Sequence, residues 1–461
     1  MEGPEKEYVE YLNRMNIHLL RNVARQVGVY KPTLGTKEDV IARTVDVLTG
    51  VVPPVAPSRR GAPLKSESVD PKYMEELASI RRRYEEAGRA DDGFMKVGSG
   101  KKKDSFFEEP VVSGLLEILP NGSGYIRPRF YRCVESEDIF VSSALVRSAG
   151  LRAGDFIACH TESEEGNVRP RVKCVLSVNE IVDYRKRKEF SELSAAYPKR
   201  RFDLSAAADA DLKLTDLFAP IGRGQRTLLC SPAREGRAYL SSLAAFFRSL
   251  ERKDPLVKVI SLLCGARPED VGEFSERIGE AETASTVCGE AAKEQIRVAV
   301  LALERAERLA ETGVDVVLLV DSLPSLAHAC DRCVKDGKML PCGVTAEAFD
   351  LPRRILSAAR ALKEGGSLTV VARAENRTDG LDTAVLREFS GLCNGVIALS
   401  EEGFVFSSSQ TERAESLLNE EENAFVRYAE EELLSDGGET LRQMAKEEKA
   451  GVRWYEAANG K

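Results

Sequence analysis

The chain has 461 residues, 43% of them hydrophobic, and a formal net charge of −8. That is length for about three domains with real cores, and the acidic balance excludes nucleic-acid binding through overall charge, leaving only a local basic or aromatic patch. No run reaches the roughly eighteen apolar residues of a membrane span, and the N-terminus lacks the apolar core of a signal peptide, so the expectation is a cytoplasmic protein with no membrane partner, its ten cysteines reduced.

Residues 1–50 read as a small helical subdomain. Leu12, Leu19, Leu20, Val23 and Val27 recur at helical spacing, and Thr36 is placed to cap a helix opening at Lys37. Residues 51–105 shift to proline-rich and then basic composition, "VVPPVAPSRRGAPLKSESVDP" followed by "SIRRRYEEAGRADDGFMKVGSGKKKD". This predicts a flexible linker, read either as a solvated spacer or as a phosphate-contacting arm. From 106 to 180, short alternating stretches ("SGLLEILPNGSGYIRP", "EDIFVSSALV", "GDFIACH", "RVKCVLSVN") predict a small β-barrel.

After a connector at 181–200, strands at 226–230, 257–263, 314–320, 367–372 and 395–399 alternate with helices over 201–415. One helix shows Ile296, Ala299, Val300, Leu303, Ala306 and Leu309 on one face, and this is the pattern of a parallel sheet covered on both sides. Residues 416–461 form an acidic tail of helical propensity (Glu420-Glu421-Glu422, Glu430-Glu431-Glu432), expected as a solvated surface helix or frayed end.

At 227–243, "TLLCSPAREGRAYLSSL" has the layout strand, loop, helix. A Walker-type phosphate loop ends in Gly-Lys-Ser/Thr because the lysine reaches the β/γ-phosphates and the hydroxyl holds Mg²⁺. Here those places read Gly236-Arg237-Ala238, with Glu235 adding negative charge. Within "HACDRCVKDGKMLPC", His328, Cys330, Cys333 and Cys342 have spacing that would suit tetrahedral zinc, the other reading being incidental thiols.

These stretches, in order, resemble the Rho family of bacterial transcription termination factors from about residue 10 to 415. "LRNVARQVGVYKPTLGTKEDVIARTV" is similar to its N-terminal helical subdomain, "GLLEILPNGSGYIRP…EDIFVSSALVRSAGLRAGD" to its cold-shock-like OB-fold barrel, and "DLFAPIGRGQRTLL" to the entry of its RecA-like P-loop domain. "GARPEDV", "VDVVLLVDSLPSLAHA", "LPRRILSAARALKEGGSLTVVARA" and "LREFSGLCNGVIAL" continue the likeness. The resemblance implies an RNA-binding, ATP- and Mg²⁺-dependent translocase that forms a hexameric ring and acts with RNA polymerase.

Position by position, the resemblance places nucleotide contacts at Ser231, Gly236, Arg237, Ala238 and Asp321, the last as the carboxylate that holds Mg²⁺ through water. The family's catalytic glutamate falls on Ala266, and its trans-acting arginine on a segment reading Ser400-Glu401-Glu402-Gly403-Phe404. Loss of such a finger alone costs roughly a thousand- to a hundred-thousand-fold in rate. A lysine-bearing segment becomes "NRTDGLD", with only Arg377 basic. Loop lysine, hydroxyl, glutamate and finger are all absent, so the catalytic positions Arg237, Ala238 and Ala266 read as degenerate.

On the RNA side the resemblance places base-stacking rings at Tyr125 and Phe140, whose other reading is barrel packing, with Arg127 as a basic contact. Ser123 stands at an aromatic position, and Asn167 and Arg169 replace the acidic and aromatic residues of a cytosine pocket. Lys338 is retained in a segment similar to the inner RNA-contacting loop. The functional expectation is an RNA-binding, catalytically inactive Rho-like subunit, alone or in a mixed ring with an active one. The alternatives are an active translocase, or a nucleic-acid-binding scaffold without a ring.

Overall fold

The computed structural model describes residues 4–48 apart from 14, 16, 28 and 30–35, residues 111–446 apart from 163–168, 182–186, 280–282 and 377–379, and residue 455. The linker expected at 51–105, Asn167 and Arg377 lie outside the described residues. The chain divides into two compact units, Met1–Phe106 and Phe107–Lys461.

In the first unit, helices α1 (Pro4–Asn13), α2 (Ile17–Val27) and α3 (Lys37–Leu48) enclose Tyr8, Leu12, Leu20, Val23, Val40 and Ile41. α3 starts where the sequence predicts. Thr36 Oγ1 accepts from the Asp39 amide, and Asp39 Oδ2 accepts from the Thr36 amide at 2.8 Å, a reciprocal cap that also holds the Asp39 carboxyl below its ordinary pKa.

The second unit opens with a closed barrel in the order β1-β2-β3-β5-β4, formed by β1 (Val111–Ile118), β2 (Gly124–Arg127), β3 (Ile139–Val141), β4 (Phe156–Glu162) and β5 (Arg171–Val178). The stretch after β3 differs from expectation. Residues 143–148 are helix α4 (Ser143–Ser148), because Ser142 Oγ accepts from the Leu145 amide and diverts the chain from the strand. Strand alternation points Leu116, Ile126, Ile139, Val141, Ile157 and Cys159 inward.

The α/β part runs β6 (Ala195–Ala196), α5 (Ala210–Phe218), β7 (Arg226–Ser231), α6 (Ala233–Lys253), β8 (Val257–Ala266), α7 (Pro268–Ile278), β9 (Thr283–Val287), α8 (Ala292–Ala310), β10 (Asp315–Asp321), α9 (Leu323–Asp331), α10 (Asp350–Ala358), β11 (Arg360–Leu362), β12 (Ser367–Glu375), α11 (Gly380–Ser390) and β13 (Gly395–Ser400). Strands β13-β7-β12-β10-β8-β9 are parallel neighbours, extended by short antiparallel pieces β14 (Gly403–Phe404) and β15 (Gln410–Thr411) on β13, and by β11 and β6 beyond β12. The five predicted strands are present. β9 is an addition, since "TASTV" carries hydroxyls where a buried strand usually carries branched apolar residues.

Successive β10 residues feed two cores. Val316, Leu318 and Val320 face α8, α9 and α10, while Val317 and Leu319 face α5, α6 and α7. The second core is closed by the acidic tail. Helices α12 (Glu420–Tyr428) and α13 (Glu439–Lys446) bury Phe425, Leu441 and Ala445, and Ala429, just after α12, and Tyr455 join them. This corrects the expected solvated tail: the glutamate runs obscured an apolar i, i+4 spacing. Glu420 and Glu421 face out, but Glu422 is 2% exposed and receives both terminal nitrogens of Arg201 at 2.7 Å. Arg201 also donates to Asp216 at 3.0 Å.

Replacing Arg201 with Met strands two buried carboxylates, and such uncompensated burial costs about 3–5 kcal/mol. Urea unfolding of Arg201→Met is expected to show a loss of that size; a loss below about 1 kcal/mol, the scale of an exposed pair, would show that the tail is held by its apolar contacts alone.

Candidate nucleic-acid interface and nucleotide cleft

Ser231, Ala266, Asp321, Arg373 and Glu375 all lie at or near the carboxyl ends of their strands, the edge at which open α/β sheets bind ligands. The connection expected to grip phosphate is not a loop. β7 ends at Ser231, Pro232 alone intervenes, and α6 begins at Ala233, with the Gly236 amide already donating to the Pro232 carbonyl at 3.1 Å. The expected strand, loop and helix of 227–243 are therefore a strand running almost directly into a helix. The sequence explains it: apart from Gly236, residues 233–240 contain no strong helix breaker. A phosphate nest needs successive non-helical amides converging on one point. Here the amides from Gly236 onward serve the helix, and Glu235 occupies its first turn.

Gly236 allows close packing. A Cβ there would lie 1.8 Å from Ser231 Oγ and 2.8 Å from Arg373 Cδ. Arg237, one residue on, points into the cleft. Its Nε lies 3.3 Å from Asp321 Oδ2 and its Nη1 3.1 Å from Asp270 Oδ2. From the other side Arg373, 2% exposed, places Nε 2.5 Å from Asp321 Oδ1 and Nη1 3.1 Å from Glu375 Oε1. Burial disfavours the Arg373 charge, but the carboxylates of Asp321 and Glu375 more than offset it and its pKa stays above the ordinary value.

Both oxygens of Asp321 are thus taken by guanidinium groups. Ala238 is an exposed helical methyl, Ala266 a buried one at the end of β8, and Glu401 and Glu402 sit exposed on the turn between β13 and β14. Of the residues expected to hold a magnesium nucleotide, 232–238 form no open loop, Ala238 brings no hydroxyl and both oxygens of Asp321 are paired with arginine, while Ser231 keeps a buried hydroxyl with no hydrogen-bond partner among the described residues.

On the barrel, Tyr125 and Phe140 are cross-strand partners on β2 and β3, half-buried and facing outward, while Ile126, Ile139 and Val141 fill the interior. The rings meet edge to face at 5.8 Å, and outward placement answers the barrel-packing alternative. Arg169 lies over the Tyr125 ring at 5.1 Å and pairs with Glu135 at 3.1 Å. The sequence reading missed Arg171, whose guanidinium lies 5.6 Å from the Phe140 ring centre; its alternation with Val172 along β5 was the available signal. Arg127, expected as an outward basic contact, is 7% exposed and held by Asp138 and by Glu117 at 2.8 Å.

Lys338 is exposed beside Met339, on an excursion closed by the Met339–Thr345 bridge and a turn at Gly343, where φ is +86°. The four zinc candidates do not form a site. Cys330 is buried, with its thiol pushed up to about 12, Cys333 and Cys342 pack against the core, and His328 is exposed. Among the described residues no group of three His, Cys, Asp or Glu side chains is placed to hold a metal. Among the same residues no helix is long and apolar enough to cross a membrane.

The tight seat of Gly236 yields a prediction of inverted sign. Glycine to alanine inside a helix ordinarily stabilises by up to about 1 kcal/mol, but Gly236→Ala is expected to cost about 1–3 kcal/mol by overpacking against Ser231 and Arg373. Chemical denaturation measures it, and a stabilised variant would contradict the close approach of α6 to β7.

Two family models match: the RNA-binding domain of the Rho termination factor over residues 112–186, and the nucleotide-binding domain of the ATP synthase alpha/beta family over residues 211–406. Among curated relatives, the transcription termination factor Rho of Streptosporangium roseum is 35% identical over 334 residues, covering 70% of this chain and 84% of that protein. The Rho of Akkermansia muciniphila is 34% identical over 343 residues, covering 70% and 71%. That of Chromobacterium violaceum is 35% identical over 309 residues, covering 65% and 72%. With a barrel of the RNA-binding kind joined to an α/β domain of the ATPase kind, and with these relatives spanning both, the chain belongs to the Rho family of transcription termination factors.

Proposed function

We propose that this Rho-family chain binds single-stranded RNA across the Tyr125–Phe140 face and does not hydrolyse ATP, acting in termination as an RNA-binding or regulatory subunit, in a ring of its own or mixed with an active Rho. The observation that carries the reading is Asp321, whose two oxygens are held by Arg373 and Arg237 below a helix that starts one residue after β7. An NTPase needs that carboxylate for the metal and a loop for the phosphates. The proposed RNA face is the outward aromatic pair with Arg169 and Arg171, and Lys338 is a second, separate contact.

Phosphate release by the full chain, with and without cytidine-rich RNA, tests the first half, with the Streptosporangium roseum relative assayed alongside as the reference. No RNA-dependent release is expected. Turnover that rises with RNA would overturn the inactive reading in favour of an active translocase.

Stacking on an aromatic side chain contributes about 1–3 kcal/mol per base. Tyr125→Ala is therefore expected to weaken binding of a labelled single-stranded RNA roughly 5- to 150-fold, read by fluorescence anisotropy. Unchanged affinity would remove the barrel face from the reading.

A further inference from the structure

Glu117 sits at the end of β1 between two arginines that belong to different parts of the second unit. Its Oε2 lies 2.9 Å from Arg127 Nε, 2.8 Å from Arg127 Nη2 and 3.0 Å from Arg297 Nη1. Arg127 belongs to the barrel face, with its guanidinium 5.0 Å from the centre of the Tyr125 ring. Arg297 belongs to α8 and is also tied to the Tyr131 carbonyl at 2.6 Å and to both oxygens of Glu294 at 2.6 and 2.8 Å. Three donors thus converge on one carboxylate oxygen, more than its lone pairs satisfy well.

Arg127 has somewhere else to go. Asp138, 1% exposed, takes Arg127 on Oδ2, while its Oδ1 is buried without a hydrogen-bond partner among the described residues. A guanidinium turned onto both Asp138 oxygens would make the bidentate pair that its fork favours. That leaves Glu117 Oε2 to Arg297 alone.

We propose that Glu117 and Arg297 are positioning residues that couple RNA at the Tyr125 face to helix α8. RNA stacking against Tyr125 displaces Arg127 toward Asp138, and the freed carboxylate binds Arg297 more tightly, fastening the start of α8 to the barrel. The effect reaches the sheet edge, because α8 also carries Gln295, 5% exposed, whose Oε1 lies 3.8 Å from Cys264 Sγ, next to Gly265 and Ala266. The element with two states is the shared carboxylate, and a ligand biases it only by preferring one arrangement. The inference rests on the reading of Tyr125 and Phe140 as the RNA face.

Hydrogen exchange of the full chain, with and without a uridine–cytidine oligoribonucleotide, tests it in the wild type, Arg297→Met and Arg297→Gln. In the wild type RNA is expected to slow exchange in β2, β3 and the first turns of α8. In Arg297→Met the barrel protection is expected to persist and the α8 response to vanish, an RNA-dependent difference that a merely structural role would not alter. If Arg297→Met exchanges faster everywhere without RNA, Arg297→Gln, neutral but still a donor, decides by the same criterion. Barrel protection without any α8 response in the wild type, or an α8 response that survives both substitutions, overturns the coupling alone. No barrel protection in the wild type overturns the coupling and the RNA-face reading together.

Discussion

The carboxylate of Asp321, held between Arg373 and Arg237, is the constraint around which the α/β domain is arranged. Arg373 belongs to β12, Arg237 to α6, and the second partner of Arg237, Asp270, to α7, so one charge network joins four elements at the carboxyl edge of the sheet. Buried ions are tolerable only when paired and hydrogen-bonded. Removing a guanidinium from Asp321 therefore exposes the remaining charges to an unfavourable medium. Asp321 neutralises both arginines at once, and the arginine at residue 237 supplies the second of those contacts.

The barrel is held to the α/β domain along the length of α8. Near its start Arg297 reaches Glu117 and the Tyr131 carbonyl. Midway, a Cβ on Gly154 would lie 2.4 Å from the Glu304 carbonyl carbon, and Arg305 donates to Asn179 at 2.8 Å and lies over the Phe156 ring. Just past its end, Glu311 receives both terminal nitrogens of Arg152 and the Phe190 amide. Helix α8 is thus a common wall for both domains, with one face in the sheet core and the other against the barrel. A glycine with φ of +82° at residue 154 meets two demands at once, a left-handed backbone and no side chain.

Much of this was legible in the sequence because its signals were periodic. Branched apolar runs marked the five inner strands and alternation marked the barrel, while the pair at 125 and 140 was marked by the family resemblance. The parts that were not legible depend on context. Gly236 reads as loop punctuation, yet its lack of a side chain serves helix–strand contact. "SSALV" has the apolar content of a strand, but one hydroxyl at Ser142 turned it into a helix. Arg127 has the charge of a phosphate contact, and only three dimensions show it committed to Glu117 and Asp138. Glu422 is chemically identical to its exposed neighbours and differs in what it faces, Arg201, the Asn419 amide and the Tyr455 hydroxyl.

The pairing of Arg201 with Glu422 spans 221 positions of the chain, and it imposes an order on synthesis. Domains fold largely as they leave the ribosome, N-terminal parts first. The barrel has all its strands once Val178 has emerged, whereas the α/β domain waits for its last segment. Until α12 and α13 are made, Arg201 and Asp216 lack their third partner, and the part of α5 on which those helices pack has no cover. The nascent protein therefore passes through a stage in which the barrel is complete while the tail-facing side of α5 is open. The acidic tail, outwardly the most soluble part of the sequence, is what ends that stage.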